Sequence, residues 1–208
     1  MHRFEGTSLQ CRRGGRVVFE GLDFALDAGG LLLLTGRNGA GKSSLLRLMA
    51  GLLAPAAGSL SWDGRPVAED AEAHRARLRY VGHLDALKPA LTAAENLSFW
   101  ADLWGGGDPL AALDAFGLRA LADQPARFLS AGQKRRANLA RLALAPADLW
   151  LLDEPATALD AETTERLRQL IARHRDAGGM AVISTHGDLG LPGAIPLDLG
   201  AFQTRHAA

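Results

Sequence analysis

The sequence predicts an α/β fold, in which a parallel sheet is interrupted by a block of helices. Three observations carry this. Residues 31–35, 149–152 and 180–185 are short, mainly apolar runs, as strands buried on both faces require. Helix-start signals follow the first and second of these runs. Between them, residues 84–145 carry helical periodicity and further start signals.

The elements follow in order. Residues 17–19 and 22–26 read as short strands, with glycine turns at Gly14–Gly15 and Gly29–Gly30. Strand 31–35 leads into a helix predicted over 42–50 that stops at Gly51. Residues 78–82 form another strand. In the helical block, Thr92 and Glu95 make a capping box, Asp108 is an N-cap followed by Pro109, and Ser130 with Gln133 repeats the capping-box pattern. Pro146 sets the limit of that last helix. Asp160 caps a helix that ends near Gly178 and Gly179.

Composition narrows the function. At 208 residues, 48% hydrophobic and 22% charged, the chain can bury a sizeable core and is expected to be a soluble globular protein. Lys+Arg 23 balance Asp+Glu 23, so charge gives no reason to expect nucleic acid as a partner. Cys11 is the single cysteine, which excludes an internal disulfide and fits a reducing compartment. The first ten residues lack a signal-peptide core. No apolar run approaches the roughly 20 residues needed to span a bilayer, so membrane association is expected to come through a partner or the surface.

Gly36-Arg37-Asn38-Gly39-Ala40-Gly41-Lys42-Ser43 matches the phosphate-loop pattern in full, with a buried strand before it and a helix after. Glycines let backbone amides face phosphates, and the helix N-terminus adds partial positive charge. Lys42 is suited to the β- and γ-phosphates of ATP and Ser43 to Mg²⁺, with Ser44 next in the loop. A second acidic pair, Asp153 and Glu154, ends the apolar run 149–152. Charges there are costly unless paired. Asp153 is suited to holding Mg²⁺, and Glu154 to orienting and deprotonating the attacking water.

These residues stand in an order that resembles the ATP-binding cassette (ABC) family over nearly the full chain. Leu129-Ser130-Ala131-Gly132-Gln133 looks like that family's signature, residues 155–160 like its D-loop and His186 like its switch histidine. The resemblance implies a P-loop NTPase core sheet with an N-terminal antiparallel β subdomain and an inserted α-helical subdomain. The catalytic core would comprise residues 1–83 and 146–208, and the helical subdomain residues 84–145. It implies a head-to-tail homodimer in which Ser130, Gly132 and Gln133 of one copy complete the ATP site of the other. His186 would contact the γ-phosphate and the water.

Two departures from the family pattern stand out. Its adenine-stacking aromatic position falls near Arg13, whose guanidinium can stack on a purine instead. Its usual glutamine after strand 78–82 is replaced by His83, an imidazole that can place one hydrogen bond near the metal water or serve merely as a loop residue. Phe19 and Phe24 are read as facing the core. Gly82 with His83, Ala131 and the compact chain resemble most the ATP-binding subunit of cytochrome c maturation, often called the haem exporter. That resemblance implies integral membrane subunits as partners, a position on the cytoplasmic face of the bacterial inner membrane, and only an indirect link to a haem chaperone. An exporter of another cargo, or a non-transport cassette protein, are the competing readings. Leu97, Trp100 and Trp104 share one helical face beside Phe99 and Leu103, which is either core or a surface that receives a membrane subunit.

Overall fold

The computed structural model describes residues 2–185, 187 and 189–203. Two sheets organise them. The first is antiparallel, in the order β2 (Arg16–Asp27), β1 (Arg3–Arg13), β4 (Ala57–Trp62), β5 (Arg65–Pro66). The second is parallel, in the order β6 (Leu78–Val81), β7 (Leu149–Asp153), β8 (Met180–Ser184), β3 (Leu31–Thr35), β9 (Ala194–Asp198). Six α-helices are described: α1 (Lys42–Met49), α2 (Ala71–Ala76), α3 (Ala93–Trp104), α4 (Pro109–Ala115), α5 (Ala131–Ala140) and α6 (Ala161–Asp176).

The apolar runs form strands because alternate side chains feed two different cores. Leu32, Leu34, Leu149, Leu151, Met180 and Val182 point toward α1 and the antiparallel sheet. Leu31, Trp150, Leu152, Ala181 and Ile183 point the other way, onto helices α3 to α6. Each central strand is therefore apolar up to its last residue, which is Thr35, Asp153 or Ser184, and parallel pairing follows from burial on both faces.

The helix boundaries match the start signals. Thr92 and Ser130 form complete capping boxes, Asp108 and Asp160 accept from the first turns of α4 and α6, and Pro109 sits at N1. Helix α1 ends at Met49, with Gly51 at φ 67° just beyond.

The N-terminal strands differ from the sequence reading. Residues 17–19 and 22–26 belong to one long strand, β2, in which Gly21 at φ 66° absorbs the irregularity. Strand β1 is absent from the sequence reading for a physical reason. Its buried positions run Phe4, Gly6, then Leu9, Cys11, because Ser8 adopts φ 48° and shifts the register. The period of two breaks in the middle, so the alternation that marks a strand is lost. Strand β9 contains Pro196 and is largely exposed, as an edge strand can be.

Phe19 and Phe24 are buried, as expected. On α3, Leu97 is core, while Trp100 and Trp104 are half-buried beneath Arg141 and Arg79, whose guanidiniums lie 4.4 and 4.2 Å from the ring centres. Phe99 and Leu103 are exposed. The core alternative holds for Leu97 and in part for Trp100 and Trp104, and not for Phe99 and Leu103.

Candidate nucleotide site

All five parallel strands end on the same edge of the sheet, where ligands of such folds gather. β3 delivers residues 36–41, β7 delivers Asp153 and Glu154, β8 delivers Ser184, and β6 delivers Gly82 and His83. A cleft of about 620 Å³ opens there, lined by Arg13, Val18, Asn38, Gly39, Ala40, Gly41, Lys42, Ser43, Ser44, His83 and Glu154.

The loop's conformation explains its glycines. Gly36 is at φ 125°, and a Cβ there would meet Ala40 and Asp198. Gly41, at φ 104°, lies so close to Val18 and Phe19 that a Cβ would fall 2.7 Å from Val18 Cγ1. Both left-handed backbone and close approach require glycine there. Lys42 is buried, and its ammonium donates to the carbonyl of Gly36 at 2.7 Å. This fold-back keeps the charge inside the loop that it would serve. Arg37 contributes its carbonyl, 3.5 Å from the same ammonium. Ser43 and Ser44 stand in the first turn of α1 and face the cleft.

The acidic pair divides into two different environments. Asp153 is buried, and its Oδ1 accepts from the Ser184 hydroxyl at 2.6 Å. Its Oδ2 is buried without a hydrogen-bond partner among the described residues. An orphaned carboxylate oxygen is costly, and a cation or cation-bound water is the partner that relieves it. Asp153 itself does not line the cleft, but it directly precedes Glu154, which does, as does Ser43; carboxylate and hydroxyl make an all-oxygen donor set, as Mg²⁺ prefers. Among the described residues no cluster of three or more His, Cys, Asp or Glu could hold a metal alone, so phosphate oxygens and waters would have to complete the shell.

Glu154 is held in a left-handed backbone conformation at φ 48°, which costs about 1–3 kcal/mol for a non-glycine residue. Its amide donates to both the carbonyl and the hydroxyl of Ser184, at 3.1 and 3.0 Å. Ser184 thus links the two acids, accepting from the Glu154 amide while donating to Asp153. Sequence reasoning missed Ser184; a polar residue closing a buried strand is the signal that could have found it. Thr157 Oγ1 donates to Glu154 Oε2 at 3.4 Å, and a smaller hollow of about 270 Å³ continues past Thr157, Thr185, Gly187 and Leu189. His186 lies outside the described residues.

Arg13 is exposed at the turn between β1 and β2 and lines the cleft. His83, also exposed, lines it as well. Ser130, Gly132 and Gln133 do not line it. They stand at the N-terminus of α5, where Ser130 Oγ accepts from the Gln133 amide and Gln133 Oε1 accepts from the Ser130 amide.

Comparisons with known proteins identify the family. The family model described as ABC transporter matches residues 19–157. The Cytochrome c biogenesis ATP-binding export protein CcmA of Rhodospirillum rubrum is 61% identical over 96% of this chain and 86% of its own length. Its counterpart from Paramagnetospirillum magneticum is 58% identical over 96% of this chain and 94% of its own. Among solved structures, an ATP-binding subunit of an ABC transporter superposes with a TM-score of 0.83 at 25% identity, covering 95% of this chain and 86% of that one. The chain belongs to the ABC transporter family and, within it, to the cytochrome c biogenesis ATP-binding export proteins.

Proposed function

We propose that the cleft binds Mg·ATP and that the chain hydrolyses it as the motor subunit of an exporter serving cytochrome c biogenesis. The carrying observation is a pair of acids at the end of β7 and a complete phosphate loop after β3 at one edge of one sheet, with one oxygen of Asp153 orphaned and Glu154 strained. Relatives more than half identical over nearly the whole chain, named as cytochrome c biogenesis ATP-binding export proteins, support the cargo assignment.

The residues divide the work. Amides of Gly36, Arg37, Asn38, Gly39, Ala40 and Gly41, with the partial positive end of α1, receive the phosphates. Lys42 leaves the Gly36 carbonyl and pairs with the β- and γ-phosphates. Ser43 and Asp153 would hold Mg²⁺, which when bound neutralises charge on the phosphate oxygens. Ser44 donates a further hydroxyl to the phosphates. Glu154 accepts the proton of the attacking water, and His186 and His83 position that water and the γ-phosphate. Arg13 lies flat on the adenine.

No helix among the described residues is long and apolar enough to cross a membrane. The proposed assembly therefore relies on integral membrane subunits to hold the chain at the cytoplasmic face of the inner membrane. Two copies of the chain act together, each offering Ser130, Gly132 and Gln133 to the nucleotide of the other. The haem chaperone lies beyond the membrane subunits and is acted on indirectly. The core, 1–83 with 146–208, carries the phosphate chemistry, and the insertion 84–145 carries the contacts to the second copy.

Glu154→Gln tests the reading. The variant should bind ATP with affinity close to wild type, accumulate as an ATP-bound dimer, and lose turnover by about a thousandfold or more. Phosphate release and size-exclusion chromatography with ATP measure both. Turnover at the wild-type rate would remove Glu154 from the role of base.

A further inference from the structure

Arg135 is the second of three consecutive basic residues, Lys134, Arg135 and Arg136, in the exposed-looking start of α5. It is 5% exposed. One Nη donates to the carbonyls of Asp153 and Glu154, at 2.9 and 2.8 Å. The other donates to the carbonyl of Gly82 at 3.0 Å and approaches Asp85 Oδ1 at 3.5 Å. A single planar fork thus joins α5, the end of β7 and the loop after β6. Three of the four acceptors are main-chain carbonyls at the C-terminal ends of two adjacent strands.

The placement matters because of Glu154. Its left-handed backbone is fixed at the amide by Ser184 and at the carbonyl by Arg135. The Thr157 amide donates to the same carbonyl at 3.2 Å, so the turn after Glu154 shares this hold, but only the Arg135 fork joins that carbonyl to Gly82 and to α5. Asn138, one turn further along α5, adds weaker support by donating to Asp85 at 3.4 Å and accepting from the Ala86 amide at 3.4 Å. The same short helix begins at Ser130, Gly132 and Gln133. Arg135 therefore links the helix that starts there to the backbone of Glu154 and to Gly82, next to His83.

We propose that Arg135 is a positioning residue that sets the backbone of Glu154 and ties it to the α5 N-terminus and the 82–85 loop, so that contact made by α5 with a second copy's nucleotide is felt at the water-activating carboxylate. This rests on the proposed hydrolytic reading of the site. A guanidinium is required because only a fork can bridge Glu154, Asp153 and Gly82 at once; an ammonium reaches one side or the other.

The test uses the full chain, with Arg135→Lys and Arg135→Gln compared with wild type. Phosphate release gives kcat and KM, equilibrium binding of a fluorescent ATP analogue gives affinity, and thermal melting reports folding. Arg135→Lys should fold, keep nucleotide affinity within about twofold, and lose about tenfold or more in kcat, since small misplacements of a reacting group are that costly. Its rate should also lose dependence on a second bound ATP, with the Hill coefficient falling toward one. The inference is overturned if the lysine variant keeps kcat and cooperativity, or if kcat, affinity and melting temperature fall together in both variants, which would mark a purely structural arginine. If wild type itself shows no magnesium-dependent turnover, the hydrolytic reading fails instead.

Discussion

Helices α3 and α5 open with the same device and put it to opposite uses. At α3, Thr92 Oγ1 accepts from the Glu95 amide at 3.1 Å and Glu95 Oε2 accepts from the Thr92 amide at 2.7 Å. At α5, Ser130 and Gln133 repeat the exchange at 3.2 and 2.8 Å. The difference lies in the first two amides of each helix. In α3, Ala93 and Ala94 donate to the carbonyls of Gln124 and Ala122, so that end is closed. In α5, the amides of Ala131 and Gly132 have no acceptor among the described residues. The charge differs too. Glu95 places a carboxylate against the positive end of α3, while the first turn of α5 contains no acid. One helix start is finished within the fold, and the other is left able to receive an anion from outside.

The sharpest way to break this comparison is to give α5 the acid that α3 has. Gln133→Glu keeps the reciprocal cap and should leave the melting temperature unchanged or slightly raised. It puts a carboxylate where a γ-phosphate of the second copy would sit, a repulsion of about 2 kcal/mol or more, hence at least about thirtyfold in turnover. Steady-state phosphate release decides it. A Gln133→Glu chain that hydrolyses ATP normally would show that the open end of α5 meets no phosphate.

A smaller effect separates the two hydroxyls. Thr92→Ala removes a cap that serves only the fold, so it should lower stability by about 1 kcal/mol and leave turnover within about twofold. Ser130→Ala loses a comparable cap and should also lower turnover. Denaturant melts paired with rate measurements separate them, and equal losses of rate in both would erase the distinction between the helices.

Much of this was legible from residue order. The phosphate loop, the Asp153–Glu154 pair and both capping boxes are contiguous signals, and local chemistry enforces them. What was not legible depends on residues far apart in sequence. The closing of α3 needs carbonyls about thirty residues downstream, at Ala122 and Gln124. The burial of Arg135 between two exposed-looking neighbours needs the ends of β6 and β7 to meet beneath it. No periodicity distinguishes the middle of three basic residues. Strand β1 escaped because one residue, Ser8, breaks its alternation, and β9 because an edge strand needs no apolar face.

The least disturbing probe of the comparison is acid. Two histidines with displaced titration, the buried His74 and the half-buried His174, belong to neither helix start. His74 accepts from Trp62 Nε1 at 2.9 Å through Nδ1, so its Nε2 must carry the proton donated to the Met49 carbonyl at 2.8 Å. His174 lies flat on Trp150, with ring centres 3.9 Å apart, and Nε2 bonds the Met180 carbonyl. Burial pushes both below the ordinary histidine value. The unfolded chain therefore binds more protons than the fold as pH drops. Their contribution to stability is complete above about pH 6.5 and is lost as pH falls below it. Melting temperature should decline from pH 7.5 to 5.5 by the same amount in wild type, Thr92→Ala and Ser130→Ala, because neither cap touches a histidine. His174→Gln, which can still donate to Met180, should flatten that decline in all three backgrounds. A cap variant with a steeper acid decline than wild type would tie a helix start to the histidine cores and undo the separation drawn here.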